Sequence, residues 1–352
     1  MKTLWYLLFK IYIKIGLFFY TKKIKVVGKN NVPKKGAVLF AVNHPNGLLD
    51  PLIVATNTPR VSHFLVRAAV FKKPLVKKFL ATLNLMPIYR IRDGRKEISK
   101  NTEVFNDCFE ILNKQQALMI FPEGSHNRKR TVRNISKGFT RIVYGALEKY
   151  PELQINIIPI GITYQNASKF PSKIAIHFGT SINANAYYNA KNPNDSLSIQ
   201  QLKDAVANQL KELSVHILDN ENYQETLQRL NKSNIDFTEV KKVNSQIKKK
   251  EFHTEETKIN FIKPMYYIWV VNSFFPWILC KITSRKSKEI EFIDTFSAAL
   301  GISIFPLFYT IQTLCIYAFF NLKTAVLYAG FSIILTLIYV KFSTTPTESH
   351  PE

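Results

Sequence analysis

Hydrophobic residues fall in short continuous runs through the middle of the chain. Residues 37–42, 117–121 and 155–160 are almost uninterrupted apolar runs. Such runs are typical of strands covered on both faces, because a half-exposed strand alternates apolar and polar residues. Residues around 102–112 and 138–149 instead repeat at helical spacing. The pattern predicts an α/β layered domain with a mixed, largely parallel sheet.

The amino terminus is apolar from residue 5 to residue 19, apart from Lys10 and Lys14. These two lysines are four residues apart, so they lie on one face of a helix. No small-residue cleavage site follows, so a cleaved signal peptide is not expected. We predict that residues 1–20 form an amphipathic helix in the membrane interface. The alternative is an ordinary surface helix of the domain.

The last ninety residues contain three apolar segments. Two of them are long enough to cross a bilayer, and spanning helices are predicted at about 294–320 and 324–340. The third segment, 265–280, is shorter and is followed by a basic cluster at 281–288. If it crossed the bilayer, this cluster would face away from the basic domain, against the positive-inside tendency. We therefore predict that 265–280 lies in the interface and that the domain faces the cytoplasm.

These patterns divide the chain into five regions. They are an interfacial helix (1–20), a folded domain (21–220), a charged connector (221–262), a membrane region (263–345) and a tail (346–352). A helix is predicted at 197–218, just before the connector. The connector is charged, so a solvated or membrane-grazing segment is its plainest interpretation.

Composition adds a large excess of positive charge. The 352 residues include 48 Lys and Arg against 25 Asp and Glu, a formal net charge of +23. Such an excess indicates an anionic partner, either nucleic acid or an anionic membrane surface. The long apolar segments favour the lipid bilayer, and no nucleic-acid partner is expected. The three cysteines have no metal-ligand spacing, so no metal site is predicted.

Candidate chemistry begins directly after the first predicted strand, at Asn43, His44 and Asp50. A Pro-Asn-Gly turn separates His44 from Asp50, which places His44 at the carboxyl end of a strand, where α/β sheets bind ligands. A carboxylate there can orient an imidazole, which can then take a proton from an attacking alcohol. Alternatively, Asp50 caps a helix that begins with Pro51, and His44 is an ordinary loop histidine.

A second group of polar residues follows the strand at 117–121. Glu123, Gly124 and Ser125 could bind a polyol or phosphate, because glycine permits close backbone approach and a carboxylate accepts bonds from hydroxyls. Beyond them lies a basic run that includes Arg128 and Lys137. A phosphate could bind one or two of these cations. The alternative for the whole run is a solvated basic loop.

Together these motifs resemble the phospholipid and glycerol acyltransferases of the lysophosphatidate and glycerol-3-phosphate type. The resemblance covers roughly residues 24–182 and has its elements in the family's order. The matching positions are Asn43-His44 with Asp50, Met86-Pro87-Ile88-Tyr89-Arg90, Phe121-Pro122-Glu123-Gly124-Ser125, Lys137-Gly138 and Ile158-Pro159-Ile160.

The resemblance implies a role for several of these residues. His44 would be the general base oriented by Asp50, Arg90 would bind the acceptor phosphate, and Glu123 and Gly124 would position the glycerol. Five residues separate His44 from Asp50, where the family usually has four. This spacing is similar to that of the fungal-type glycerol-3-phosphate and dihydroxyacetone-phosphate acyltransferases, so the identity of the acceptor stays open.

The sequence therefore predicts an O-acyltransferase of phospholipid biosynthesis. It would transfer a fatty acyl group from acyl-CoA or acyl-carrier protein to lysophosphatidate or glycerol 3-phosphate, without a cofactor. Alternatives are an acyltransferase for another lysolipid or an amino-acid lipid, and an inactive lipid-binding relative. A membrane-tethered nucleic-acid binder is disfavoured because the basic residues are spread over most of the chain and interleave poorly with aromatic residues outside the membrane segments. A structural membrane anchor leaves both strand-end motifs unexplained.

Overall fold

A computed structural model describes residues 2–90, 94–254, 262–286 and 290–345. The described residues form one sheet with the strand order β1-β7-β6-β2-β5-β3-β4, and β8 pairs with the free part of β6. The strands are β1 (Lys23–Val27), β2 (Ala37–Val42), β3 (Ser62–Arg67), β4 (Leu85–Ile88), β5 (Ala117–Ile120), β6 (Ile155–Tyr164), β7 (Lys173–Phe178) and β8 (Ile182–Asn183).

Helices cover both faces of this sheet and continue into the carboxyl-terminal region. The described helices are α1 (Lys2–Tyr20), α2 (Leu49–Asn57), α3 (Pro74–Thr82), α4 (Arg95–Ile98), α5 (Asn101–Asn113), α6 (Gly138–Lys149), α7 (Ser196–Leu213), α8 (Tyr223–Lys232), α9 (Val240–Lys249), α10 (Lys263–Asn272), α11 (Phe274–Lys286), α12 (Ile290–Phe319) and α13 (Leu322–Phe342).

The central strands are apolar throughout because helices pack on both faces of the sheet. All six residues of β2 are buried. Leu39 and Ala41 face a core formed with α5, α6 and α7, whereas Val38 and Phe40 face a core formed with α1 and α2. Successive side chains of a strand point to opposite faces, so both faces need apolar residues. The predicted layered α/β class with a mixed, largely parallel sheet is confirmed.

The strand directions bring the loops that follow several strands to one edge of the sheet. β2 is parallel to both β5 and β6, and β3 is parallel to both β5 and β4. The carboxyl ends of these five strands therefore lie at the same edge, which we call the site edge. β7 runs antiparallel to β6 and makes the sheet mixed.

Residues 221–254 differ from the predicted solvated connector. Helices α8 and α9 lie here, and Leu227, Leu230, Phe237 and Val243 are buried in a core that includes Ala175 of β7. These short helices carry many charged residues on their outer faces, so the composition of the segment gives no sign of its apolar face. The division of the chain into five regions stays a prediction, but this segment packs on the sheet domain.

Helix α1 packs lengthwise between the sheet domain and the carboxyl-terminal helices. Tyr6, Ile13 and Leu17 are buried in the core on the α1 face of the sheet. At Gly16, an added Cβ would lie 2.6 Å from Ile302 of α12, so glycine permits this close approach. The same helix exposes apolar residues on its outer side. Its contacts therefore combine features of the predicted interfacial helix and of the alternative surface helix.

Three described helices are long and apolar enough to cross a membrane: α1, α12 and α13. The predicted spanning segments coincide with α12 and α13. The third apolar segment is two helices, α10 and α11, which are interrupted at Ser273. Which of these helices cross the bilayer and which lie in its interface stays a prediction.

Candidate active site

Two asparagine side chains fix the loop that follows β2. Asn43 donates to the Ile162 carbonyl at 3.0 Å and accepts from the Ile162 N–H at 2.7 Å. It thereby holds the end of β2 against β6. The side-chain oxygen of Asn46 accepts from the N–H groups of Leu48 and Leu49 at 3.2 and 3.0 Å. These two N–H groups belong to the N-cap residue and the first residue of α2, which have no partner within the helix, so the Asn46 side chain supplies their acceptor.

Asp50 is not the helix cap that one interpretation of the sequence expected. Helix α2 begins at Leu49, one residue before Asp50, so its carboxylate is free of capping duty. Asp50 Oδ2 lies 2.8 Å from His44 Nδ1 and accepts from the Asn46 N–H at 2.7 Å. Asp50 Oδ1 accepts from the Tyr164 hydroxyl at 2.7 Å. The predicted His44–Asp50 pair is therefore formed.

Asp50 is completely buried, with 0% of its surface exposed. Burial raises the pKa of the Asp50 carboxyl, and the hydrogen bonds from His44, Asn46 and Tyr164 counteract part of that rise. A buried carboxylate with these partners can hold an imidazole in one orientation and stabilise its protonated form.

The loop after β5 lies directly against His44. The His44 ring stacks on Phe121 with ring centroids 3.9 Å apart and an interplanar angle of 19°. The ring of His126 meets His44 edge-on at 5.6 Å. The backbone N–H of Asn127 donates to the His44 carbonyl at 2.9 Å. The two strand-end motifs are thus in direct contact at the site edge.

Arg133 organises the glycine turn after β5. Its Nε donates to Glu123 Oε2 at 2.8 Å, and one Nη donates to Ser125 Oγ at 2.9 Å while the other donates to the Ser125 carbonyl. The Glu123 side chain is only 4% exposed. Burial raises the pKa of Glu123, against the lowering effect of Arg133. Gly124, between Glu123 and Ser125, has a backbone φ of 78°, which a residue with a side chain rarely adopts.

The basic run after the turn divides into different roles. Arg128 is half-buried and, with His44, Glu123 and Tyr164, lines a cavity of about 30 Å³. This volume suits about one water molecule, not a whole lipid. Arg130 is buried and donates to the Tyr164 and Gln165 carbonyls at 2.9 and 3.0 Å. The alternative of a solvated loop therefore fails for Arg130 and Arg133.

Arg90 and Lys137 are two further predicted ligand residues. Arg90 follows β4 at the site edge and is half-buried. Only β3 separates β4 from β5, which corresponds to roughly 10 Å between the two strand axes. Lys137 is exposed and immediately precedes α6. Their substrate contacts stay predictions.

Tyr164 is a site residue that sequence analysis missed. It ends β6, whose predicted run stopped at residue 160, four residues short of the observed end. The available signal was that Ile160, Ile162 and Tyr164 occupy every second position, which indicates that the strand continues to residue 164. Among the described residues, no group of three or more His, Cys, Asp or Glu side chains is arranged to hold a metal ion. The expectation of a metal-free, cofactor-free reaction stays a prediction.

Comparison with known proteins finds similarity over the region that carries this site. Residues 23–163 match the sequence model of the acyltransferase family. Glycerol-3-phosphate O-acyltransferase 1 of Saccharomyces cerevisiae is 26% identical over 134 residues, which are 36% of this chain and 17% of that protein. A probable 1-acyl-sn-glycerol-3-phosphate acyltransferase of Mycoplasma pneumoniae is 29% identical over 155 residues, 44% of this chain and 54% of that protein.

A 1-acyl-sn-glycerol-3-phosphate acyltransferase of Borreliella burgdorferi is 24% identical over 177 residues, 50% of this chain and 65% of that protein. The chain thus spans less than two thirds of each of these three relatives. Among solved structures, a 1-acyl-sn-glycerophosphate acyltransferase from Thermotoga maritima matches with a TM-score of 0.40 and 16% identity, covering 54% of this chain and 73% of that one.

Proposed function

We propose, because residues 23–163 match the sequence model of the acyltransferase family, that this chain is an O-acyltransferase of phospholipid biosynthesis. It transfers a fatty acyl group from a thioester, acyl-CoA or acyl-carrier protein, to a hydroxyl of glycerol 3-phosphate or lysophosphatidate. The observation that carries the proposal is the His44–Asp50 pair, 2.8 Å apart at the site edge, in contact with the Glu123–Arg133 turn. The relatives named for these two acceptors support it.

The proposed reaction uses the two nitrogens of His44 differently. Nδ1 carries a proton and donates it in a hydrogen bond to Asp50, so Nε2 has the lone pair that accepts a proton. Nε2 removes the proton of the acceptor hydroxyl as its oxygen attacks the thioester carbonyl carbon. The tetrahedral intermediate then collapses, the C–S bond breaks, and the thiolate takes the proton from Nε2. The acyl group passes directly between substrates, so rate enhancement depends on proximity and proton transfer.

The acceptor would bind between the two halves of the site edge. We assign its phosphate to Arg90, with Arg128 and Lys137 as further cations, and its glycerol hydroxyls to Glu123, Gly124 and Ser125. Arg133 holds Glu123 and Ser125 in place by the three bonds described above. The loops after β4 and β5 end at the same edge with strand axes roughly 10 Å apart, so Arg90 and the glycine turn could contact opposite ends of one glycerol phosphate group. The domain with this site would face the cytoplasm.

A panel of acceptors tests the function directly. The purified chain is incubated with labelled acyl-CoA or acyl-carrier protein and with glycerol 3-phosphate, lysophosphatidate, other lysophospholipids or amino-acid lipids, and products are separated by chromatography. A one-acyl product from glycerol 3-phosphate, or phosphatidate from lysophosphatidate, would support the proposal and identify the acceptor. Transfer to none of these acceptors from either donor would overturn it.

Removing the guanidinium at Arg90 tests the phosphate assignment. In Arg90→Ala we expect the KM for a phosphorylated acceptor to rise about tenfold or more, because a charge-assisted contact to phosphate is lost. The KM for monoacylglycerol, which has no phosphate, should change little. Arg229→Ala is the control, since Arg229 is exposed, pairs with Glu225 on its own helix and lies over the Phe252 ring after α9. Equal effects on both acceptors would contradict the assignment.

Removing the hydroxyl of Tyr164 tests its role as a positioning residue. In Tyr164→Phe the Asp50 carboxylate loses one donor, which raises its pKa further, so the acidic limb of the kcat/KM profile should move to higher pH. We expect kcat to fall about tenfold. Tyr144→Phe is the control, because Tyr144 is also buried but donates to the Ser198 carbonyl, away from the site. A similar loss in both variants without a shifted profile would indicate only structural damage.

A further inference from the structure

Helix α3 is a short helix whose apolar side is largely exposed. None of its nine residues is buried, and Leu75 is 82% exposed. Leu75 and Phe79 are four residues apart and so lie on one side of the helix. A helix of this length is marginal in water unless an apolar side is buried against something. Burial of this side of α3 against a further surface would therefore stabilise the helix.

Lysines surround the exposed apolar residues. Lys72 and Lys73 precede the helix, Lys77 and Lys78 lie within it, and all four are exposed. An amphipathic helix with apolar residues on one side and lysines beside them is typical of elements that lie in an anionic membrane interface. The lysine ammonium groups can reach phosphate level while their methylene chains remain with the apolar side.

The α3 surface is continuous with the exposed apolar side of α1. The Trp5 indole N–H donates to Thr82 Oγ1 at 3.0 Å, and the rings of Phe9 and Phe79 meet edge-on at 6.0 Å. Beyond these contacts α1 exposes Leu4 and Leu8, which are 64% and 53% exposed. Two neighbouring helices thus present one apolar surface.

The turn before α3 reaches the site edge. A short 3-10 helix, Ala68–Phe71, begins where β3 ends, and its Val70 is 47% exposed. Because β3 and β4 are parallel, this turn lies at the same edge as Arg90, which follows β4. Any surface that covers α3 and this turn would therefore lie beside the proposed acceptor site.

We propose that residues 68–82 form a membrane-docking surface, in which Val70, Leu75 and Phe79 enter the acyl layer and the four lysines bind anionic lipid phosphates. The surface holds the site edge against the leaflet, where amphiphilic substrates reside. The proposed membrane contact is argued from the exposed residues alone. Its purpose, to hold the site edge at the leaflet, rests on the proposed acyltransferase function.

Lipid-quenching measurements on the full chain in vesicles test the docking. An environment-sensitive fluorophore is attached at Leu75→Cys, and at Leu197→Cys as the matched control, since Leu197 is 64% exposed on α7, at the opposite face of the sheet. Unsubstituted chain treated in the same way corrects for labelling of the native cysteines. With spin-labelled lipids, we expect quenching about threefold stronger at position 75 than at position 197. Equal quenching at both positions would overturn the proposal.

Charge substitution tests the role of the lysines. Replacing Lys72, Lys73, Lys77 and Lys78 together by glutamine should remove the increase in quenching at position 75 that accompanies a higher fraction of anionic lipid. The control replaces four exposed lysines elsewhere, Lys211, Lys241, Lys248 and Lys249, and should retain that increase. An unchanged response in the first variant would overturn the anionic-lipid assignment.

An acidic acyl-carrier protein is the other occupant that a basic apolar surface could fit. If the fluorophore at position 75 responds to acyl-carrier protein but not to spin-labelled lipids, the membrane proposal is wrong and a protein partner takes its place. None of these readouts requires turnover. A chain that docks but transfers no acyl group would therefore contradict only the proposed function.

Discussion

Replacing His44 with alanine is expected to lower kcat by about 10³-fold, within the range that a positioned general base contributes. In the proposed mechanism the His44 imidazole takes the proton of the attacking hydroxyl, and alanine cannot replace it. Folding should be retained, because His44 is partly exposed and the loop is held by Asn43 and Asn46 through their own side chains. Single-turnover acyl transfer with labelled acyl-CoA measures the chemical step.

The matched control for this substitution is His253→Ala. His253 is exposed in the segment after α9 and has no role in the proposed reaction. The control should transfer acyl groups at the unsubstituted rate, and both variants should insert into vesicles equally. Near-normal turnover in His44→Ala would show that another group takes the proton, and the proposed mechanism would be wrong.

Replacing Asp50 with asparagine is expected to lower kcat by about 10³-fold without unfolding the protein. The Asn46 N–H donates to Asp50 Oδ2, so an acceptor is needed at that position. The amide oxygen of the new side chain should therefore take the place of Oδ2 and still face His44 Nδ1. The histidine tautomer is then preserved. What is lost is the negative charge that stabilises the imidazolium as it forms, so the loss should appear in kcat and not in KM.

The stability of the Asp50→Asn variant should move in the opposite direction to its activity. Burial raises the pKa of Asp50 in the folded state, so protonation of this group stabilises the fold. That contribution is fully present below the unfolded-state pKa and is lost as pH rises through the folded-state pKa. At neutral pH the uncharged variant should therefore have an equal or higher thermal midpoint, measured in detergent. A large fall in the midpoint together with lost activity would indicate collapse of the site.

Much of the domain could be predicted because its strands and helices have strong local patterns. The runs at 37–42 and 117–121 correspond to β2 and β5, and the helix predicted at 138–149 has the bounds of α6. The predicted helix at 197–218 ends earlier, at Leu213. Beyond it the Ile217 N–H donates to the Arg130 carbonyl, and the Ile217 side chain packs in the core formed with α8 and α9. Edge strands such as β1 and β4 are short or partly exposed, and their sequences carry little pattern.

The His44–Asp50 pair could be predicted because both residues lie in one loop. The partners that complete the site could not, because the fold alone brings them there from distant parts of the chain. Tyr164 is 114 residues from Asp50, and no local pattern identifies it as the donor to that carboxylate. Arg133 belongs to a basic run in which every cation looks alike in sequence, although only the folded turn shows which one binds Glu123.

The buried Arg130 connects the site to the helices that follow residue 220. Its guanidinium lies 3.7 Å from the centroid of the Phe237 ring and donates to the Tyr164 carbonyl, while Gln165 bonds through its side chain to the backbone at Ile235 and Phe237. The residue that supports Asp50 is therefore fastened in place by a part of the chain that contributes no reacting group. A shortened chain that ended at residue 220 would retain both strand-end motifs but lose the contacts that support Tyr164 behind the Asp50 carboxylate. The smallest unit able to carry out the proposed reaction is therefore larger than the region that the motifs cover.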